Sequence, residues 1–447
     1  MLPKTQRPGA VLPPLEPRLQ RRYQHLVKEH AHVSQSVAAG LSALAGLGTS
    51  FASTQAAWRF FRNPSVTLTA LVQPLLDVAR AAVRTQCESY ALVMHDWSHL
   101  NYNGHTRKTD RVQLGHAHDH GYELQTALLV GDREGQPLAP LCQNVVSTAG
   151  IHTTRSETCL PGQARLDELA GRMDYLSGLG LARPLVHIID READSVGHYR
   201  QWHEHLYLVR AKGGQRVECA GRSRLLAAIA TELHHTGALV FSREVTFHGR
   251  AARQYVAETT VVLRRAARPQ RRGKKRRAVP GAPVTLRLIL SEVRSAEGRV
   301  LATWYLLSNV ASTVSAGQLA LWYYWRWRIE SFFKLLKGAG QQIEAWQQES
   351  GLAVAKRLLV ASLACVLIWQ LERSTQPEAE AVRAVLVRLS GRQMKRERPH
   401  TAPALLAGLW VLLALLEALE HHTPAELQRM AQNIFALNPD ENARQLV

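Results

Sequence analysis

The chain has 447 residues, 46% of them hydrophobic, with 55 Lys plus Arg against 36 Asp plus Glu and a formal charge of +19. That length exceeds one simple core and implies about two to four domains, and the charge surplus favours a polyanionic partner, of which nucleic acid is the commonest. Five scattered cysteines, odd in number and without a CxxC pair, exclude a disulfide framework and a structural zinc and argue for a reducing cytoplasm.

Residues 1–19 are rich in Pro and Arg and read as a disordered tail, with no apolar stretch that would make a signal peptide. Residues 20–86 follow a helical pattern and carry Arg21, Arg22, Arg59 and Arg62. These arginines suit a DNA-binding domain, or simply solvated helix faces. At Ser89 the texture changes. "SYALVMHDW" is a β-run ending in Asp96, and "YELQTALLVGDREGQPLAPLCQNVVS" reads as two strands joined by a turn around Gly135. "LDELAGRMDYLSGLG" is a helix stopping at glycine, "RPLVHIID" a short strand ending in Asp190, and "HLYLVRAK" another strand. The order implies a mixed α/β sheet over residues 87–212.

Residues 213–303 alternate β-like segments around the cationic run "RRAARPQRRGKKRRAVPG". They read as a β-rich insertion whose basic loop approaches phosphate. Residues 304–372 return to the core, and 373–447 are helical, a candidate dimerisation domain. Within the last stretch, Thr423, Pro424 and Glu426 have the spacing of a capping box. The apolar runs "LLVASLACVLIW" and "ALLAGLWVLLALL" fall short of the ~20 residues a bilayer needs and read as buried helices. No membrane partner is expected.

The stretch "YYWRWRIESFFKLLK" mixes aromatics and cations around one acid, Glu330. On a single helix from Ala320 to Lys337, at ~100° per residue, Tyr323, Arg326, Glu330 and Lys337 share a narrow arc. Lys334 sits one turn past Glu330. Trp325, Ile329, Phe332 and Leu336 form the opposite, apolar stripe. An ordinary i, i+4 pair of Arg326 with Glu330 contributes only a few tenths of a kcal/mol and leaves Tyr323 and Lys337 unexplained. A carboxylate flanked by cations suits a divalent metal beside a phosphodiester, and hard Mg²⁺ needs further oxygen ligands. Asp96 and Asp190, each closing an apolar run, are the candidates.

These motifs resemble the DDE transposases of bacterial insertion-sequence family four, the Tn-five-like group. The Tyr-x2-Arg-x3-Glu-x6-Lys signature falls on Tyr323, Arg326, Glu330 and Lys337. "DREAD" at Asp190 to Asp194 resembles the second-Asp block, and "HDWSHLNYNGHT" the first, although Trp97 stands where the family usually has a small hydroxyl residue. "AAWRFFRNPSV" resembles the N-terminal DNA-binding domain. The resemblance implies a ribonuclease H-like core interrupted by a β-rich insertion. It makes Asp96, Asp190 and Glu330 the catalytic residues, holding two Mg²⁺ ions for which Mn²⁺ substitutes. It implies cut-and-paste transposition by a homodimer acting on inverted-repeat ends and target DNA, in a cytoplasmic, nucleoid-associated bacterial protein. It puts Tyr323, Arg326 and Lys337 on backbone phosphates, Trp304 of "ATWYLLSN" on a flipped base, and Arg210 and Lys212 of "LVRAK" near DNA. Two alternatives stand beside it: a related ribonuclease H-like nuclease, or an inactivated or domesticated relative acting as a DNA-binding regulator. Three mutually repelling carboxylates argue against the last. His116, His118 and His120 could hold a transition metal if they shared a strand face, though a turn is the simpler reading. Asp194 reads as a salt-bridge partner of Arg191 or Lys212.

Overall fold

Strands dominate the middle of the chain and helices close both ends. The computed structural model describes residues 12–32, 50–268, 278–395 and 398–436. Four helices come first: α1 (Pro17–His32), α2 (Ser50–Arg62), α3 (Leu68–Leu71) and α4 (Gln73–Gln86). Residues 17–19, assigned from sequence to a disordered tail, therefore belong to α1. Tyr23, Phe60, Phe61 and Leu75 pack into the same core as the central strands, so these helices lie on the sheet.

Next come β1 (Ala91–Asn101), β2 (Val112–Gln113), β3 (His120–Gly131), β4 (Pro137–Ser147) and β5 (Gly150–Thr153). The crossover helix α5 (Arg165–Ser177) leads to β6 (Leu185–Ile189), and α6 (Val196–Gln201) to β7 (Leu206–Ala211). Then follow β8 (Arg216–Cys219), β9 (Arg222–Leu225), α7 (Leu226–His235), β10 (Val240–Phe247), β11 (Arg250–Leu263), β12 (Val284–Arg294) and β13 (Val300–Ser308). All join one mixed sheet with the path β5-β4-β3-β1-β6-β7-β13-β12-β11-β8-β9, β2 pairing with β3 and β10 with β11. β1, β6 and β7 run parallel, and the remaining pairings are antiparallel.

The stretch from 213 to 303 thus extends the central sheet, joined to it where β13 pairs β7 from Tyr305↔Ala211 to Ser308↔Leu208. It also contains α7, where the sequence reading had only β-like segments. Leu226, Ile229 and Ala230, all buried, have the three-to-four spacing of a helix face. Most of the cationic loop, residues 269–277, lies outside the described residues.

The last helices are α8 (Ala316–Tyr324), α9 (Trp327–Leu336), α10 (Gly351–Arg373), α11 (Pro377–Leu389), α12 (Ala402–His421) and α13 (Pro424–Ala436). The reading of two apolar runs too short to span a bilayer needs correction. α10 and α12 reach 23 and 20 residues, long and apolar enough to cross a membrane. The surroundings separate them. α10 is enclosed in the core, as expected, whereas α12 leaves Leu415, Leu416 and Leu419 exposed. At α13, Thr423 and Glu426 exchange bonds, the Glu426 N–H donating to Thr423 Oγ1 (3.3 Å) and the Thr423 N–H to Glu426 Oε2 (2.8 Å).

Candidate functional site: three carboxylates around one guanidinium

β1 and β6 pair in parallel from Ala91↔Leu185 to His95↔Ile189, and Asp96 and Asp190 are the next residues on each. Neighbouring strands are ~4.8 Å apart, and residues level with each other point to one face. The two acids therefore leave the sheet side by side, opposite the face where His95 Nε2 meets His187 Nδ1 at 2.8 Å. Asp96 does not end its strand as the sequence suggested. β1 runs on to Asn101 against β3, and Asp96 lies where β6 stops and the sheet opens. The entry to β1 is pinned by Asp132, whose carboxylate accepts the N–H groups of Glu88 (2.7 Å), Ser89 (2.9 Å) and Tyr90 (2.8 Å).

The expected single helix from Ala320 to Lys337 is broken. α8 ends at Tyr324 and α9 starts at Trp327, with Arg326 donating to the Tyr323 carbonyl and Arg328 to that of Trp325. These i→i+3 bonds tighten the chain locally. Trp325 lies against Gly135 in the β3–β4 turn. Gly135 has φ +66°, and a Cβ there would meet the Trp325 ring at 2.3 Å. Only glycine fits this close approach.

The break swings Arg326 into the space between the acids. Its Nη1 donates to Asp96 Oδ2 (2.9 Å) and its Nη2 to Glu330 Oε1 (3.0 Å), with Asp190 Oδ2 at 3.6 Å. Its side chain is 7% exposed, against 19% for Asp96, 30% for Asp190 and 29% for Glu330. Tyr323 donates its hydroxyl to Asp190 Oδ1 (3.0 Å), and Arg210 Nη1 lies 3.7 Å from the same oxygen. One guanidinium thus serves three acids.

The two strand acids are driven in opposite directions. Burial raises the Asp96 pKa, and the attraction of Arg326 and the Trp97 N–H does not offset it, with Glu330 and Asp190 adding repulsion. Burial also pushes Asp190 up. There Arg326, the Arg191 N–H, Tyr323 and Arg210 together outweigh it and hold the carboxyl below its usual range. Arg326 is desolvated too, but Tyr323 and the three carboxylates keep it firmly protonated.

No family model matches this chain, and no curated protein matches it. Among solved structures it is similar to a piggyBac transposase in a synaptic complex with hairpin DNA. The likeness has a TM-score of 0.32 and 11% identity, covering 93% of this chain and 74% of that one. A likeness that distant carries no argument. The site rests on its own geometry.

Of the other residues singled out from sequence, Lys337 lies beyond the end of α9. Its Nζ donates to the His99 carbonyl (2.5 Å) and lies 3.4 Å from Glu344. Lys334 is exposed on α9. Trp304, 6% exposed, packs edge-on against Tyr323 with ring centroids 5.5 Å apart. Lys212 is exposed, and its backbone N–H donates to Asp194 Oδ2 (2.8 Å). Asp194 also accepts from the Tyr199 hydroxyl (3.0 Å), so it is held by hydrogen bonds and not by the anticipated salt bridge. Arg59 and Arg62 are exposed on α2, with Arg62 4.2 Å over the Trp58 ring and 3.5 Å from Glu349. His116 and His118 lie in the turn before β3, and His120 begins that strand, so the three share no strand face. Sequence reasoning missed Asp132 and the reach of Arg326 to Asp96 and Asp190, while the Arg326–Glu330 pair it weighed does form. The "GDREG" turn was a visible signal for the former.

Proposed function

We propose that the chain is a DNA transposase that cuts and joins DNA at Asp96, Asp190 and Glu330. The observation carrying this reading is the convergence of three acids from β1, β6 and α9 on a single cation at an opening in the sheet. A ribonuclease H-like core is supported by the mixed sheet, with the acid-bearing strands adjacent and parallel at its centre.

The donor set is all carboxylate oxygen, which suits Mg²⁺ or Mn²⁺. Among the described residues no three such side chains stand ready to hold a metal, and here Arg326 lies among them. Asp96, Asp190 and Glu330 fit two ions once Arg326 withdraws. Bound there, the ions would activate water and stabilise the leaving oxygen. Arg326 is the residue able to clear the way, because a DNA phosphate competes with the carboxylates for its bidentate fork. Tyr323 and Arg210 hold Asp190 ionised for its task. In the proposed sequence, water attacks the end phosphodiester and frees a 3′-OH, which attacks the opposite strand to give a hairpin. The hairpin is reopened and joined to target DNA by a homodimer.

A gel-shift and a nicking assay on one DNA, carrying the inverted repeats that flank the reading frame, test this. Glu330→Gln should bind that DNA and fail to nick it. Retained nicking would sink the assignment.

A further inference from the structure

A second cationic feature lies along the flank of α9. A cavity of about 970 Å³ opens between the β3–β4 turn, α9, the end of α10 and the segment leading into α12. Arg133, Arg328, Lys334, Arg373, Arg392 and Arg398 line it, against two acids, Glu134 and Glu372. Among the described residues, the side chains of Arg328, Lys334, Arg392 and Arg398 make no close hydrogen bond or ion pair, and the Glu372 carboxylate, which acts on Arg328 and Arg398, is outnumbered by the cations around it. Burial lowers the pKa of Arg328 and of Arg373, and Glu372 only partly opposes it, the mark of cations held with too few anions.

The lining also says what kind of anion fits. The cations come from four separate stretches of chain, so they match several phosphates and not one. The indole in the wall, Trp369, is itself buried and offers no face on which a base could stack. Lys334 stands one turn from Glu330, about 6 Å along the helix, so a strand passing the acids reaches the cavity without a long detour.

We propose that this cavity grips the phosphodiester backbone of DNA, independently of base sequence and at a place separate from the carboxylates. The identity of the polyanion rests on the transposase reading above. The contact extends the DNA path from Lys334 on α9 across to Arg392 and Arg398, which no motif in the sequence pointed to.

The test is the salt dependence of duplex binding by the full chain, measured by fluorescence anisotropy. Each phosphate contact contributes about 0.9 to the slope of log K against log salt. Arg392→Gln with Arg398→Gln should lower that slope by roughly 2, and Arg392→Lys with Arg398→Lys should restore it. Each single Gln variant should lose about 1, which keeps the test decisive if the double variant melts early. An unchanged slope in folded Gln variants overturns the inference while leaving the transposase reading intact. Loss of stabilisation by inorganic tripolyphosphate with no change in the DNA slope overturns it too, and marks a small-anion site. Absence of salt-dependent duplex binding by the unaltered chain removes the transposase reading and this inference together.

Discussion

Two buried ionic clusters sit in this fold, and they are built on opposite principles. On α5, Glu168 is fully enclosed and answered by two cations. Arg172 Nε donates to its Oε2 (3.0 Å) and Arg155 Nη2 to its Oε1 (3.1 Å). Arg172 Nη2 spends a further bond on Gln125 Oε1 (2.8 Å), which also accepts from Asn144 (2.9 Å). At Arg326 the ratio is reversed, with three carboxylates, all partly open to water, facing two guanidiniums, Arg326 between them and Arg210 beside Asp190. The Glu168 cluster is closed and its carboxylate fully answered, because an unpaired buried charge costs several kcal/mol. Three carboxylates crowded around fewer cations repel one another and gain little for stability, and the fold keeps them for another reason. The imbalance is the functional signal.

The comparison breaks if the two clusters respond alike to mutation. The largest expected effect is on DNA nicking, abolished by Asp96→Asn, Asp190→Asn or Glu330→Gln and untouched in kind by changes on α5. The next is on stability. Arg172→Met combined with Arg155→Met strands Glu168 and should cost about 3–5 kcal/mol, read by denaturant unfolding, whereas Asp96→Asn relieves repulsion and should leave stability within about 1 kcal/mol. An Asp96→Asn variant destabilised as severely as the double Arg172→Met, Arg155→Met variant would make the Arg326 cluster structural.

The pH dependence of melting sharpens the same contrast. Burial acts against Glu168, but Arg172, Asn144 and Arg155 hold its carboxyl below the ordinary glutamate range. Its contribution is therefore present above the pKa of a free glutamate and lost as pH falls through the depressed value. Asp96 is raised, so the folded chain takes up a proton there sooner than the unfolded one, and stability gains from it as pH falls. Glu168→Gln should flatten the acid limb of the Tm profile, and Asp96→Asn should steepen it slightly. A smaller effect separates two roles for Trp304. If its ring leaves Tyr323 to receive a flipped base, Trp304→Ala should nick normally and close hairpins about tenfold more slowly, since base stacking is worth about 1–3 kcal/mol. If it is only core, folding and nicking should fall together.

Much of this site was legible in the sequence, and the illegible part has a physical cause. Asp96 and Asp190 stood out because each follows an apolar run, and parallel pairing then sets them level. The Tyr-Arg-Glu spacing was visible as one helical arc, but the break at Trp325–Arg326 was not. "YYWRW" holds neither Gly nor Pro, and the break depends on Trp325 meeting Gly135 from a distant turn. Lys337 closes α9, its N–H still bonded to the Phe333 carbonyl, and its side chain turns to the His99 carbonyl and Glu344. α7 was missed because the β-like segments around it set the expectation. The cap of Asp132 on β1 joins residues more than forty apart, a distance over which local pattern is silent.

The central claim is that the carboxylates form a metal site which Arg326 occupies in the free chain. Mn²⁺ titration followed by electron paramagnetic resonance, without DNA, tests it most directly on the unaltered chain, Arg326→Ala, and Arg326→Ala combined with Glu330→Gln. The account predicts that Arg326→Ala binds Mn²⁺ about tenfold or more tightly than the unaltered chain, a difference of about 1.4 kcal/mol or more, and that adding Glu330→Gln removes the gain. Equal affinity in the unaltered chain and a folded Arg326→Ala variant would contradict it.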